Sequence, residues 1–331
     1  MDLFRLPGVL QRRKQFCTGV DLGSHRIKAV RLQKGADGPR LVGRAFVSTP
    51  VDIVRDGVNH PEMAAALART LEAAGVPEEA ADLVTAVGGG RVITRNILMP
   101  AMPEKELAAG LQWEAERHIP LPVQDLIIRH VDLGKEERDG VVQRHVLLVA
   151  APRTVVDDYC ALFRETGRYL LAVDMQALAL WRVFCGLAPE SAPAGTAAVL
   201  DIGAVHAELA VVRDGQLRYA RTLPGGGEAL TEALVRTLGV DAETARRIKE
   251  GENPDGRSEA AVAETERSFS LQVGLIELVR EIRRSLDWYQ TQNREQPVAR
   301  IILSGGGSKV SGLPDYLTEQ LGLPVAPGCP C

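Results

Sequence analysis

The chain has 331 residues, 45% of them hydrophobic and 25% charged, with a formal net charge of −4. That is ordinary globular composition with enough length for two domains, and no global basic field or rich aromatic set (4%) points to nucleic acid. No apolar run reaches the roughly 18 residues that span a bilayer, and the five cysteines are odd in number and scattered, as in a reducing cytoplasm.

Residues Met1–Phe16 form a basic tail with Arg5, Arg12, Arg13 and Lys14 around Leu3, Phe4, Leu6, Val9 and Leu10, without signal-peptide organisation. Thr18–Leu22, Ile27–Gln33 and Leu41–Ser48 are predicted as successive strands, turning at Gly23–Arg26 and Gly35–Pro39. Met63, Leu67 and Leu71 recur at helical spacing, so Pro61–Ala74 is predicted as a helix stopped by Gly75. Leu83–Val87 follows as a buried strand ending in three glycines.

A β-α-β-β-α-β set is predicted next: Val92–Leu98, helix Glu104–His118, Leu126–Leu133, Val141–Ala151, helix Arg153–Thr166 and Leu170–Val173. Pro100, Pro103, Pro120 and Pro122 bracket its first helix, because proline tolerates a helix start and blocks continuation. Helix Gln176–Phe184 and a Pro-, Ala- and Ser-rich linker at Ala188–Gly195 close the first half.

The second half restarts the opening pattern with strands Ala197–Ile202, Ala207–Arg213 and Leu217–Thr222 and a hairpin turn at Asp214-Gly215. A helix follows Pro224–Gly227, Thr244–Glu250 is a short helix and Gly251–Ser258 a polar loop. Ser268–Gln292 carries Leu271, Leu275, Leu278, Ile282, Leu286 and Tyr289 at helical spacing. Strand Arg300–Leu303, the run Gly305–Gly307 and helix Leu313–Leu321 finish the chain. Three-strand meanders followed by helices, twice over, describe an internally duplicated α/β protein.

Asp21-Leu22-Gly23 and Asp201-Ile202-Gly203 each end the first strand of a meander. Glycine lets backbone approach a ligand, the N–H groups of a tight turn suit phosphate oxygens, and Ser24 and Lys28 add a hydroxyl and a cation. The two aspartates suit Mg²⁺ held through its waters, since that ion prefers oxygen ligands and sheds water reluctantly. The glycines at 305–307 would let a loop lie flat against adenine or ribose, and no Walker A loop is present. His25 and His206 lack ligand partners at useful spacing, and Cys329 and Cys331 lack a second ligand pair.

The set Asp21-x-Gly23-Ser24-x-x-x-Lys28 resembles the first phosphate motif of the actin-like ATPase superfamily; Asp201-x-Gly203 resembles the second and Gly305–Gly307 the adenosine motif. Four segments are similar to the PilM family of type IV pilus assembly proteins: RVITRNILMPAMPEKELAAGLQWEAERHIPLP at 91–122, RTLPGGGEALTEAL at 221–234, EIRRSLDWY at 281–289 and ILSGGGSKVSGLPDYL at 302–317.

The resemblance implies two duplicated lobes of the actin-like ATPase fold, with ATP and Mg²⁺ in the cleft, an inserted subdomain 1C and a small subdomain 2B. It divides the chain into a tail (1–16), 1A (17–90), 1C (91–170), a return to 1A with an interdomain helix (171–190), 2A (191–238), 2B (239–275), and a second connecting helix with the rest of 2A (276–331). It adds Gly225, Gly226, Gly227 and Lys249 to the nucleotide contacts. Arg246 stands where family members carry a Glu three residues before the ribose-facing Lys, here Lys249, and Glu243 is the substitute carboxylate one turn back. Asp174 or Gln176 falls where a water-positioning residue is expected, with a helix N-cap the alternative for Asp174.

A hydroxyl common six residues after the second-motif aspartate is replaced by Ala207, which shifts the expectation from catalysis toward binding. The implied role is a cytoplasmic scaffold, peripheral to the inner membrane and at most a slow ATPase. It would dock the N-terminal segment of a PilN-like inner-membrane protein in a 1C groove involving Arg95, Trp113, Arg117, Ile119 and Pro120. Other pilus or motor components and self-association are further expected partners. The alternatives are an active ATPase or kinase of the superfamily, and a filament-forming protein similar to FtsA or MreB.

Overall fold

A computed structural model of the chain describes residues 4–5, 15–36, 38–50, 58, 60–138, 140–186, 195–250 and 264–328. The expected N-terminal tail (beyond residues 4–5 and 15–16), most of the Pro-rich linker, the loop at 251–258 and Cys329 and Cys331 lie outside these residues. The chain divides into two compact units, Met1–Gln176 and Ala177–Cys331.

The first unit contains β1 (Phe4–Arg5), β2 (Phe16–Leu22), β3 (Arg26–Gly35), β4 (Gly38–Ser48), α1 (Pro61–Ala73), β5 (Leu83–Val87), β6 (Ile93–Pro100), α2 (Glu104–His118), β7 (Leu126–Arg138), β8 (Val141–Pro152), α3 (Arg153–Glu165) and β9 (Leu170–Met175). Six strands form one sheet in the order β1-β9-β5-β2-β3-β4. The β2-β3 and β3-β4 pairs are antiparallel hairpins, and β2-β5 and β5-β9 are parallel. Helix α1 starts at Pro61, where the missing N–H costs nothing, and His60 caps it by accepting the N–H of Glu62. Met63, Leu67 and Leu71 are fully buried where α1 packs on β3 and β4. The contact is close: a Cβ on Gly43 would lie 2.1 Å from the carbonyl oxygen of Ala74.

A separate three-stranded sheet, β6-β8-β7, carries α2 on one face. Leu107, Leu111 and Ala115 of the helix pack with Ile97, Met99, Val146, Leu148 and Ala150. The sequence pattern grouped α3 and β9 with this sheet. Instead β9 pairs with β5 in the large sheet, because a parallel partner needs only a crossover and β6–β8 supply one. Strand β7 also runs on through the charged residues 135–138, past a bulge near Asp132, since the hairpin with β8 satisfies its backbone.

The second unit contains α4 (Gln176–Trp181) from its second residue on, a π-helical turn (Arg182–Gly186), β10 (Thr196–Ile202), β11 (His206–Arg213), β12 (Gln216–Pro224), α5 (Gly227–Leu238), α6 (Ala242–Lys249), α7 (Glu264–Gln292), β13 (Arg300–Ser304), α8 (Leu313–Leu321) and β14 (Val325–Pro327). Its sheet order, β12-β11-β10-β13-β14, repeats β4-β3-β2-β5-β9 strand for strand, with the same parallel and antiparallel pairs. The duplication expected from the meanders is therefore a duplication of sheet topology. Asp214 and Gly215 take φ of 51° and 75°, the paired left-handed conformation of a tight two-residue hairpin turn.

Residues 196–200 are buried because this sheet is covered on both faces. Leu200, Ile202, Leu209 and Val211 pack with Leu230 and Leu234 of α5 and Leu275, Leu278 and Ile282 of α7. Val199 and Val212 pack with Phe184 and Cys185 on the other side. Gly274 lets α7 cross α5 closely, since a Cβ there would sit 2.8 Å from the Cα of Leu230. No helix among the described residues is long and apolar enough to cross a membrane.

Candidate functional site

In the first unit, Asp21 and Lys28 stand directly opposite each other on β2 and β3, with Lys28 Nζ 2.7 Å from Asp21 Oδ2. Both are substantially exposed, at 42% and 57% of their side chains. The turn between them is tight, and a Cβ on Gly23 would lie 2.8 Å from the carbonyl oxygen of Arg26. Thr49, just beyond β4, holds the turn: its hydroxyl donates to Gly23 O at 2.6 Å and its N–H to His25 O at 3.0 Å. Ser24 is exposed at the tip. Lys28, read from sequence as a phosphate cation, is thus the counter-ion of Asp21.

The parallel register sets Val20 beside Thr85. The strands are parallel, so the second glycine turn, 88–90, which follows β5, lies at the same end of the sheet as the first. Gln176 packs on it, since a Cβ on Gly88 would overlap the Gln176 amide. The carboxylate of Asp174 accepts the N–H of Met175 at 2.8 Å, and α4 begins two residues after Asp174 rather than one, so Asp174 is not in the N-cap position.

In the second unit the residue opposite Asp201 is Glu208. It is 6% exposed, and the hydroxyl of Thr222 lies 2.9 Å from each of its carboxylate oxygens. The two equivalent hairpins therefore differ in charge: a carboxylate faces an ammonium in one and a second carboxylate in the other. Sequence reasoning missed Glu208 because it matched the turns alone; aligning the strands by hairpin offset pairs it with Lys28.

The glycine segments of this unit interlock around Asp201. Gly305 has φ of 83°, and a Cβ there would sit 2.4 Å from Asp201 Oδ1. A Cβ on Gly307 would meet Ile202 Cγ2 at 2.5 Å, whereas one on Gly306 would meet nothing within 4 Å. The N–H of Gly203 donates to His206 O at 3.0 Å. Gly225 donates to Val205 O, Gly227 to Gly203 O and Glu228 to Ala204 O, at 2.8–3.1 Å. The N–H groups of Gly225 and Gly227 thus stitch α5 to the hairpin turn. Gly226 permits that approach, since a Cβ there would lie 2.6 Å from Gly203 O.

Lys249 reaches into the same cluster, donating to Gly227 O at 3.1 Å and to the Thr231 hydroxyl at 2.8 Å. Burial pulls its pKa below the ordinary lysine value, against the raising influence of Glu228 and Glu250. Asp241 caps α6 through the N–H and hydroxyl of Thr244. Glu243 is 76% exposed and lies 3.6 Å from Arg246, which also holds Glu228 at 3.1 Å. Ala207 is fully buried in the apolar cluster with Ile202 and Leu209, so its side chain faces the core, and a hydroxyl there would enter apolar packing.

Among the described residues no three His, Cys, Asp or Glu side chains cluster to ligate a metal directly. Asp21 in the first unit and Asp201 in the second each offer carboxylate oxygens of the kind that Mg²⁺ takes through its waters. In the first unit a Cβ on Gly90, and in the second a Cβ on Gly306, would meet nothing within 4 Å, so each turn leaves its backbone open to close approach.

On the inserted sheet, Trp113 is 69% exposed, Arg117 pairs with Glu114 at 3.1 Å, Arg95 donates to Thr94 O, and Pro120 is exposed. Ile119 departs from the expected groove: it is 4% exposed and packed in the core with Leu107 and Leu111.

Residues 19–326 match the family described as type IV pilus assembly protein PilM. The solved structure of a PilM-PilN type IV pilus biogenesis complex is 28% identical, with a TM-score of 0.79 over 96% of this chain and 89% of that one. The ethanolamine utilization protein EutJ from Carboxydothermus hydrogenoformans is 15% identical, with a TM-score of 0.50 over 98% of this chain and 86% of that one. MreB5 of Spiroplasma citri bound to ADP is 12% identical, with a TM-score of 0.51 over 96% of this chain and 93% of that one. The architecture is the actin-like ATPase fold.

Proposed function

With residues 19–326 matched, the chain belongs to the PilM family of type IV pilus assembly proteins, and from that premise we propose a nucleotide-binding scaffold that docks the cytoplasmic N-terminal segment of a PilN-like inner-membrane protein. The observation that carries this reading is the likeness to the PilM-PilN complex, whose extent over 96% of this chain takes in the inserted sheet. In this reading ATP is held at the phosphate end by Asp21, Gly23, Ser24, Lys28, Asp201 and Gly203. The glycines at 305–307, with Gly226 and Lys249, form the nucleoside side. Mg²⁺ arrives with the phosphates and is steadied through water by Asp21 and Asp201.

The incoming segment uses the face that presents Trp113, Arg95, Arg117 and Pro120; interface anchors favour Trp and Arg, and an extended peptide also adds to an unpaired strand edge. The protein then sits at the inner face of the membrane through its partner. Nucleotide acts through different affinities for different states of the scaffold, which is what would tune the peptide site. Titration calorimetry with a peptide copied from the partner's N-terminus, with and without ATP and Mg²⁺, tests this. Absence of peptide binding in both conditions rejects the scaffold reading.

Hydrolysis is slow in this reading. Gln176 is packed on Gly88 and Glu208 is buried and engaged by Thr222, so the amide is not open to position a water, nor the carboxylate to act as a base. Steady turnover above about 1 s⁻¹ would move the protein into the ordinary enzyme range and overturn the reading.

A further inference from the structure

The nucleotide reading accounts for the first hairpin but not for the guanidinium beside it. Arg91 closes the short 3-10 turn Gly89–Arg91 that follows β5, at the same sheet end as the Asp21 hairpin. It is partly buried. Among the described residues it has no carboxylate within ion-pair distance, and its polar partner is the Tyr159 hydroxyl at 3.4 Å, a long and weak contact. Tyr159 comes from α3 and is 4% exposed. Burial raises the phenol pKa, the Arg91 charge opposes that rise, and the Asp21 charge adds to it. The Asp21 charge acts on the same phenol, in keeping with the placement of Arg91 at the sheet end of the first hairpin that the parallel register gives.

Lys28 is already matched by Asp21 at 2.7 Å, whereas Arg91 is held by a neutral group. Among the described residues this partly desolvated cation has no counter-ion, and an anionic ligand would stabilise it. The guanidinium fork suits the oxygens of a phosphate, and Gly90 beside it leaves room: a Cβ there would meet nothing within 4 Å.

We propose that Arg91 contacts the terminal phosphates of the bound nucleotide, with Tyr159 positioning it from behind. The assignment rests on the nucleotide reading given above. It makes Arg91 a specificity residue for the length of the phosphate chain.

The test is calorimetric titration of the full chain with ATP, ADP and AMP, using the unsubstituted protein, Arg91→Ala, Arg91→Gln and Arg91→Lys. Circular dichroism monitors folding throughout. The expected result is a loss of roughly tenfold in ATP affinity for Arg91→Ala and Arg91→Gln, an unchanged AMP affinity, and partial retention in Arg91→Lys. Arg91→Gln is shorter but keeps a polar, uncharged side chain at this position, so it serves if Arg91→Ala does not fold. Unchanged ATP affinity in a folded variant, with the unsubstituted protein binding normally, overturns this assignment alone. Equal losses for ATP and AMP overturn it too, because they place the effect away from the terminal phosphates. No ATP binding by the unsubstituted protein overturns the nucleotide reading and this assignment with it.

Discussion

Lys28 reaches across the first hairpin to Asp21, Nζ to Oδ2 at 2.7 Å, from the position directly opposite in the antiparallel register. The contact has two consequences of different size. Both groups are exposed, so the pair contributes at most about 1 kcal/mol to folding. A ligand phosphate, however, would meet a fixed ammonium beside the turn.

Lys28→Ala should therefore leave the urea midpoint nearly unchanged while weakening ATP binding by roughly tenfold. Calorimetry and urea unfolding on the same preparation separate the two effects. An affinity equal to that of the unsubstituted protein would show that Lys28 serves Asp21 alone.

Glu208 behaves differently because it is buried. Thr222→Val removes the hydroxyl that bridges its two oxygens, a hydrogen bond to a charged group worth about 1.5–3 kcal/mol. Glu208→Gln keeps an acceptor for that hydroxyl and removes the charge opposite Asp201, so it should cost less than Thr222→Val. Urea unfolding of both variants checks the order; Thr222→Val at unsubstituted stability would mean that the bridging hydroxyl contributes nothing.

Much of this was legible in the sequence, and the rest has physical reasons for being hidden. The hairpins announce themselves through Gly23, Gly203 and Asp214-Gly215, where turn geometry restricts the residue type. Helix ends are marked by Gly75 and by Gly239, which has φ of 66°. Strand order is not local information, so nothing near Leu170 says that β9 joins β5 rather than β6–β8. The edge strand β14 is three residues long, too short for a period to register. At the site, Asp-x-Gly matching found the turns but was blind to what stands across from them, hence Glu208. Ala207 looked like a lost ligand contact because offset along the chain does not report which face a side chain takes.

Gly305 and Gly306 offer a paired test of how Asp201 is held. Gly305→Ala places a Cβ at 2.4 Å from Asp201 Oδ1 on backbone with φ of 83°, conditions that strain an L-residue by about 1–3 kcal/mol and push the carboxylate aside. Gly306→Ala adds a methyl to open space and should change stability by no more than about 0.5 kcal/mol. Thermal unfolding of the two variants should differ clearly. Equal behaviour would show that the strand end yields freely and that Asp201 is not fixed by the glycine run.

The docking face is tested by separating exposure from packing on a single helix. Leu111 and Trp113 are two residues apart on α2, yet one is 2% and the other 69% exposed. Leu111→Ala empties part of the core shared with Ile97, Val146 and Leu148, and should cost about 2–5 kcal/mol whatever the partner does. Trp113→Ala removes little packing, so its stability should stay within about 0.5 kcal/mol of the unsubstituted protein. If Trp113 anchors the incoming segment, that same change should raise the peptide Kd by at least roughly tenfold, the ordinary signature of an aromatic hot spot. A Trp113→Ala protein that binds the peptide normally would move the docking site off this face, and the unpaired edge of β6, where Arg95 sits, would become the surface to substitute next.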